Sequence, residues 1–254
     1  MKIASWNVNS IRVRLPHVLE WLDSAKPEVL GLQELKLPSD AFPAQDFAAH
    51  GYQSVAYGQK TYNGVALLSR EEPADVSRGL PNYSDEQRRV IAASYGDVRV
   101  INLYVPNGQT VGSDKYEYKL AWLDALHDYL ADELTRHPKI AVMGDFNIAP
   151  DDRDVHDPDE WRDRILCSVD ERERLQALNT LGFTDSFRLF DQPDATFSWW
   201  DYRAAAFRRK RGLRIDLILA SPKLAELCST SQVDPEPRKL ERPSDHAPVF
   251  AEFA

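Results

Sequence analysis

The apolar run Ile140-Ala141-Val142-Met143 meets a glycine and then delivers an acid and an amide two positions apart, in Gly144-Asp145-Phe146-Asn147-Ile148-Ala149-Pro150. A short buried strand that stops at a glycine has this composition. On extended backbone, residues two apart point to one side, so Asp145 and Asn147 can share one small volume while Phe146 turns into packing. The same pair could instead close a turn on its own backbone. Asn7, Glu34 and Tyr104 also fall at or just past the ends of apolar runs, Asp216 sits inside one, and Asp245-His246 directly precedes the last. Side chains at strand ends of layered α/β structures gather in a common crevice. Four carboxylates meeting there, from Glu34, Asp145, Asp216 and Asp245, would repel one another unless a cation sat among them. Oxygen ligands with one histidine and no cysteine suit a hard divalent ion, Mg2+ with Mn2+ as a substitute. Such a site points to phosphate-ester chemistry, in which the ion offsets charge on the phosphate and its leaving oxygen.

The elements that must position these groups alternate along the chain. Strand-like runs cover Lys2 to Asn7, Val29 to Leu32, Tyr52 to Tyr57, Val65 to Ser69, Val90 to Tyr95, Val98 to Tyr104 and Val249 to Phe253. Arg214 to Ala220 reads as a strand carrying Asp216, and Thr184 to Phe187 and Thr196 to Trp199 read as short ones. Gly96-Asp97 between two β-rich runs is a two-residue turn signal. Helical spacing marks Leu15 to Asp23, Phe42 to His50, Asp170 to Leu181, and Tyr116 to Arg136 with its stripe of Leu120, Leu123, Leu126, Leu130 and Leu134. The acidic stretch Asp151 to Asp163 reads as a solvated loop or surface helix.

With 254 residues and 43% hydrophobic content the chain can bury a large core, as one α/β unit or two small domains. No charged-then-apolar leader opens it and no apolar run approaches a membrane span, so it reads as a cytoplasmic monomer without a membrane partner. Cys167 and Cys228 are isolated, which suggests neither a disulfide framework nor a zinc site. A net charge of -9 argues against indiscriminate coating of nucleic acid but leaves room for a local basic edge. Arg208, Arg209, Lys210 and Arg211 supply one, just after the aromatic segment Phe197-Ser198-Trp199-Trp200-Asp201-Tyr202. Basic residues beside aromatics suit a phosphate backbone with an exposed sugar or base. A tryptophan core anchor next to a solvated basic loop would look the same.

Seven blocks occur in one order: Trp6-Asn7-Val8-Asn9-Ser10, Leu32-Gln33-Glu34-Leu35-Lys36, Gln59 to Ala66, Tyr104-Val105-Pro106-Asn107-Gly108, Gly144 to Pro150, Gly212 to Asp216 and Ser244 to Pro248. On these the chain resembles the exonuclease III family of abasic-site (AP) endonucleases and 3′–5′ exonucleases, from Lys2 to Phe253. The resemblance implies one domain over residues 1–254, a four-layer α/β sandwich of two packed, mostly antiparallel sheets flanked by helices. It implies Mg2+-dependent cleavage of duplex DNA 5′ to abasic sites and removal of nucleotides or blocking groups from 3′ ends. By resemblance Glu34 ligates the metal with help from Asn7 and Asp245, and Asp145 orients or deprotonates the attacking water. His246, kept protonated by Asp216, would hold phosphate oxygens together with Asn147. Tyr104 would bond the phosphate or help place the nucleophile, and Asn107 would contact phosphate. Trp199, Leu213 and Ile215 would wall a pocket for a flipped-out abasic sugar, a residue cheap to extrude. The segment Arg164 to Ser168 is where family members would differ in preference. A same-fold phosphatase on a small substrate and a non-catalytic nucleic-acid-binding regulator remain alternatives. The basic segment counts against the first, and the complete set of polar residues against the second.

Overall fold

The apolar runs pair into two six-stranded sheets, each with one parallel pair of strands at its centre. The computed structural model describes residues 1–254. Its strands are β1 (Lys2–Asn7), β2 (Val29–Gln33), β3 (Gln53–Tyr57), β4 (Val65–Ser69), β5 (Ala74–Arg78), β6 (Val90–Tyr95), β7 (Val98–Tyr104), β8 (Ile140–Asp145), β9 (Thr184–Asp185), β10 (Asp216–Ala220), β11 (Cys228–Val233) and β12 (Val249–Phe253). Helices α1 (Ile11–Ala25), α2 (Ala44–Ala49), α3 (Asp114–Arg136), α4 (Pro158–Trp161), α5 (Val169–Thr180) and α6 (Pro222–Ala225) occupy the connections. One sheet runs β11-β12-β1-β2-β4-β3 and the other β5-β6-β7-β8-β10-β9. Only β1 with β2 and β7 with β8 are parallel. The fold is therefore the α/β sandwich expected, with mixed sheets in which antiparallel pairing prevails.

The parallel pairs decide where the chemistry goes. Because β1, β2, β7 and β8 run in company, Asn7 lies beside Gln33, and Tyr104 beside Asp145, at one end of the molecule. Antiparallel β10 begins where β8 ends, which sets Asp216 opposite Asp145. Between the sheets Ile3, Leu67, Ile91, Val100, Met143, Ile218 and Ala251 form a dry core. The stripe on α3 packs with α5 over the outer face of the second sheet, and α1 and α2 cover the first. Nearer the site, a polar tie crosses the two sheets. Asn102 donates to the carbonyls of Leu32 (2.9 Å) and Ala66 (2.8 Å) and accepts from Gln33 Nε2 (2.6 Å). Gly31 makes room for it, since a Cβ there would stand 2.7 Å from Asn102.

Several sequence expectations are revised. The strand expected at Thr196 to Trp199 reduces to two isolated bridges of Trp199, one to Leu213 and one to His246. Ser198 Oγ instead accepts the N–H groups of Ile215 and Asp216 (3.0 Å each), so a side chain makes the bonds a continuing strand would make. The run from Arg214 becomes strand only at Asp216, and Thr184 to Phe187 shortens to two residues. The edge strands β5 and β11 are mostly polar and half solvated, so no apolar period announces them. The first helix starts at Ile11, four residues before its apolar stripe. Within the acidic stretch, Asp154 is fully buried and pairs with Arg214 (2.6 Å) and Arg188 (2.5 Å). No helix is long and apolar enough to cross a membrane.

Candidate active site

At the polar end of the sandwich, His246 Nδ1 lies 2.8 Å from Asp216 Oδ2, and its Nε2 is 3.7 Å from Asp145 Oδ2. All three are sealed from solvent, with 1% exposure for each aspartate and 4% for the histidine. Burial alone would discharge the imidazole, but Asp216 and then Asp145 outweigh it and push its pKa up to about 10. The ring is thus a cation at neutral pH with both nitrogens carrying hydrogen. Asp216 does not pair with Arg214, whose partners are Asp154 and Asp185. Its other contact is Ser198, which donates to Oδ2 at 2.7 Å.

Asp145 is set by a local backbone device. Gly144 has φ +150, and a Cβ there would stand 1.9 Å from the carbonyl of Leu103, so only glycine lets β8 approach β7 here. The strand ends at Asp145, and Asn147 takes a left-handed conformation (φ 50) with its N–H donating to Asp145 Oδ1 at 2.9 Å. Acid and amide are brought together by this turn and not by strand alternation, while Phe146 goes into the core as expected. Burial pushes the Asp145 carboxyl well above the ordinary range; the His246 charge opposes that and Asp216 adds to it. Asn147 accepts from Asn107 Nδ2 (3.1 Å) and donates to the Val105 carbonyl (3.0 Å).

Glu34 reaches the same volume from the other sheet. Its Oε1 accepts from Asn7 Nδ2 (2.9 Å), and that nitrogen also serves Asp145 Oδ2 (2.9 Å), so one amide joins the two carboxylates. The Glu34 backbone is left-handed (φ 52), as is that of Lys36 (φ 57), at about 1–2 kcal/mol each for residues with a Cβ. Cross-links hold them there: Ser10 N–H to the Glu34 carbonyl (2.8 Å) and Lys36 N–H to the Asn63 carbonyl (3.0 Å). Carboxylate and imidazole atoms of Glu34, Asp145 and His246 lie within 4.8 Å of one another, and since a protonated imidazole has no lone pair to give, the two carboxylates are the members of this cluster able to hold a metal ion. Asp245 stands outside that cluster. Its two oxygens accept from Asn9 Nδ2 (2.9 Å) and Trp199 Nε1 (3.1 Å). Tyr104 is half-buried, and burial followed by the charges of Glu34 and Asp145 raises its hydroxyl far above the usual range, keeping it protonated.

Residues the sequence reading passed over complete the set. Lys36 pairs with Glu34 Oε2 at 2.9 Å and donates to Asn9 Oδ1. Both lie two positions beyond a residue that was singled out, Glu34 and Asn7. Ser198 fixes Asp216, as described. Beside Tyr104 and Asn107 opens a cavity of about 650 Å³ lined also by Tyr62, Gln87, Arg89 and Lys115. On the far flank, Leu213 (0% exposed) and Ile215 (1%) are packed among Leu166, Cys167 and Val155, and Trp199 is the half-buried member of that group. Arg208, Arg209 and Lys210 are exposed, whereas Arg211 is held by Glu160.

Acids gathered around an imidazolium at one end of a two-sheet α/β sandwich suit hydrolysis of an anionic ester. The pattern of the Endonuclease/Exonuclease/phosphatase family matches residues 4–246, and the chain belongs to that family. It is similar to exodeoxyribonuclease III of Haemophilus influenzae, 42% identical over 268 aligned positions that span 100% of both chains. Among solved structures, a 3′ phosphatase from Neisseria bound to a product DNA hairpin superposes with a TM-score of 0.98 at 52% identity, covering 100% of this chain and 99% of that one. An AP endonuclease from Archaeoglobus fulgidus gives 0.95 at 42% identity, with the same coverage. The protein is a DNA repair nuclease of the exodeoxyribonuclease III and AP endonuclease group.

Proposed function

We propose that the protein is a Mg2+-dependent phosphodiesterase that cleaves duplex DNA on the 5′ side of abasic sites, leaving a 3′-hydroxyl, and removes nucleotides or blocking groups from 3′ ends. The observation that carries this is the buried Asp145 carboxyl, raised in pKa and set 3.7 Å from a histidine that is itself held by Asp216. A carboxylate whose charge is costly takes a proton readily, which is what a general base for water requires. His246, as a cation, donates to a phosphate oxygen as negative charge grows there. The second hydrogens of the Asn147 and Asn107 amides serve the other oxygens, and Tyr104, held protonated, donates as well. Glu34, with Asp145 beside it, offers the oxygen donors that Mg2+ prefers, and Asn7 holds the two carboxylates together through its amide nitrogen. When bound, the ion would offset charge on the phosphate and on the departing 3′ oxygen. Arg208, Arg209 and Lys210 would meet backbone phosphates farther along the duplex.

Leu213 and Ile215 are closed over by Leu166 and Cys167. An abasic sugar held against that wall would require Leu166 or Cys167 to shift. Two end-labelled duplexes decide the matter, one with a central abasic analogue and one with a recessed 3′ end, each incubated with Mg2+ or with EDTA. Metal-dependent cleavage of both supports the whole reading, and the ratio of the two rates sets the preference. Cleavage of neither, with binding to DNA retained, would make the protein a binding module.

A further inference from the structure

Lys119 lies on the buried face of α3, where its neighbours Leu120 and Leu123 are apolar, and it is 0% exposed. A lysine sealed in that setting needs a partner for every donor. Its ammonium donates to the backbone carbonyl of Asn147 (2.7 Å) and to that of Asn107 (3.2 Å), and it pairs with Glu171 of α5. Glu171 is equally sealed. It accepts from Ser168 Oγ (2.6 Å), Ser168 N–H (3.0 Å) and Leu166 N–H (3.2 Å). Gly108 is packed against the lysine stem so closely that a Cβ would stand 3.0 Å from Lys119 Cδ.

These contacts meet at one point between three loops, the one after β7, the one after β8, and the segment leading into α5, which are tied elsewhere by Asn147 Nδ2 to the Val105 carbonyl (3.0 Å) and Ala149 N–H to the Leu166 carbonyl (2.8 Å). The first two carry the asparagines aimed at phosphate, and the third covers Leu213 and Ile215. We propose that Lys119 is a positioning residue for DNA cleavage, which together with Glu171 sets the Asn107 and Asn147 loops, and the Leu166 to Ser168 cover, at fixed spacing from one another. A buried pair kept only to stabilise α3 against α5 could be replaced by apolar side chains of similar volume with little loss. A pair whose donors end on the carbonyls of two substrate-binding residues cannot, because those carbonyls lose their shared donor and only the side-chain bonds of Asn107 and Asn147 still hold the two loops together. The inference rests on the function proposed above, in which both asparagines meet the scissile phosphate.

The test measures kcat, KM and thermal midpoint on the recessed duplex for wild type, Asn147→Ala, Lys119→Arg, and the double variant Lys119→Met with Glu171→Met. The double variant should fold and bind DNA with a KM near wild type yet lose kcat by about 100-fold, the scale of a misplacement near 1 Å. Lys119→Arg keeps the charge but spreads it over a wider group, and should fall between, losing about ten-fold. Combining the double variant with Asn147→Ala should cost less than the sum of the separate losses, since both act through one side chain. A thermal midpoint that falls while kcat holds in every Lys119 variant would overturn the proposal and leave an ordinary structural pair. Should the double variant not fold, Lys119→Arg decides alone: unchanged kcat overturns the inference. If wild type itself cleaves no DNA, the functional reading fails first, whereas a crippled Asn147→Ala beside normal Lys119 variants overturns this inference only.

Discussion

Strands β7 and β8 carry buried charge at both ends, and the two ends are built on opposite terms. At the start of β7, Arg99 donates to Glu133 (2.8 Å), to the Asp75 carbonyl (2.7 Å), to Ser77 (2.9 Å) and to Ser94 (3.3 Å), and Glu133 takes a further bond from Arg136 (2.5 Å). Acid and base there answer each other, and the edge strand β5 is fastened as a result. At the far end, Tyr104, Asp145 and Asp216 stand side by side with Glu34 across from them. His246 and Lys36 are the cations in contact with these acids. The first network completes its own hydrogen bonding. The second holds acid in excess: burial first, and then the neighbouring acids, raise the pKa values of Asp145 and Tyr104, and the surplus leaves room for a cation. Between these two ends, the buried charge whose partners run short belongs to the site, and the charge whose partners are complete belongs to the fold.

The sharpest way to break this contrast is to remove one group from each end. His246→Gln should lower kcat by about 100- to 1,000-fold, as expected for loss of one charged donor to the developing oxyanion, while the protein stays folded. Glu133→Ala should do the reverse. Leaving Arg99 buried and unpaired costs about 3–5 kcal/mol, a drop of roughly 10 °C in thermal midpoint for a chain of this size, and kcat measured well below that midpoint stays within two-fold of wild type. Denaturation and single-turnover cleavage on the same preparations check both. Loss of kcat in Glu133→Ala without loss of stability would dissolve the distinction.

A pH series sharpens it. His246 is raised in the folded protein to about 10, above its ordinary value. The stability it contributes is whole below about 6.5, the unfolded value, and is lost as pH climbs toward 10. In metal-free buffer the stability gap between wild type and His246→Gln should therefore narrow steadily across that window. A gap that widens with pH would reverse the assigned protonation. The smallest effects belong to the exposed edge. Arg208→Ala, Arg209→Ala and Lys210→Ala should each weaken DNA binding and flatten its salt dependence by about one unit of slope, with kcat untouched.

Much of this was legible in the chain. The runs ending at Asn7, Tyr104 and Asp145 were bounded by polar residues, and the parallel pairing that gathers them follows from crossovers long enough to hold α1 and α3. Other features hid for physical reasons. The turn that joins Asp145 to Asn147 depends on Gly144 meeting Leu103, a contact between strands that spacing does not report. Strands β5 and β11 lie at edges, where solvent relieves the need for alternating apolar residues. Asp154 looked like part of a solvated acidic stretch because its partners, Arg188 and Arg214, lie far along the chain. Lys119 falls outside the leucine stripe of its helix, and only the folded loops supply the carbonyls that hold it.

The contrast between the two ends comes to rest on Asp145, and one variant addresses it directly. Thermal unfolding and Mg2+-dependent cleavage of the recessed duplex should be measured together for Asp145→Asn. Because burial makes the ionised carboxyl costly, its neutral amide should leave the midpoint equal to wild type or higher, while cleavage falls by about 1,000-fold or more, within the range general-base loss allows. A midpoint several degrees lower with cleavage largely preserved would show that Asp145 serves the fold, as Glu133 does, and would contradict the account.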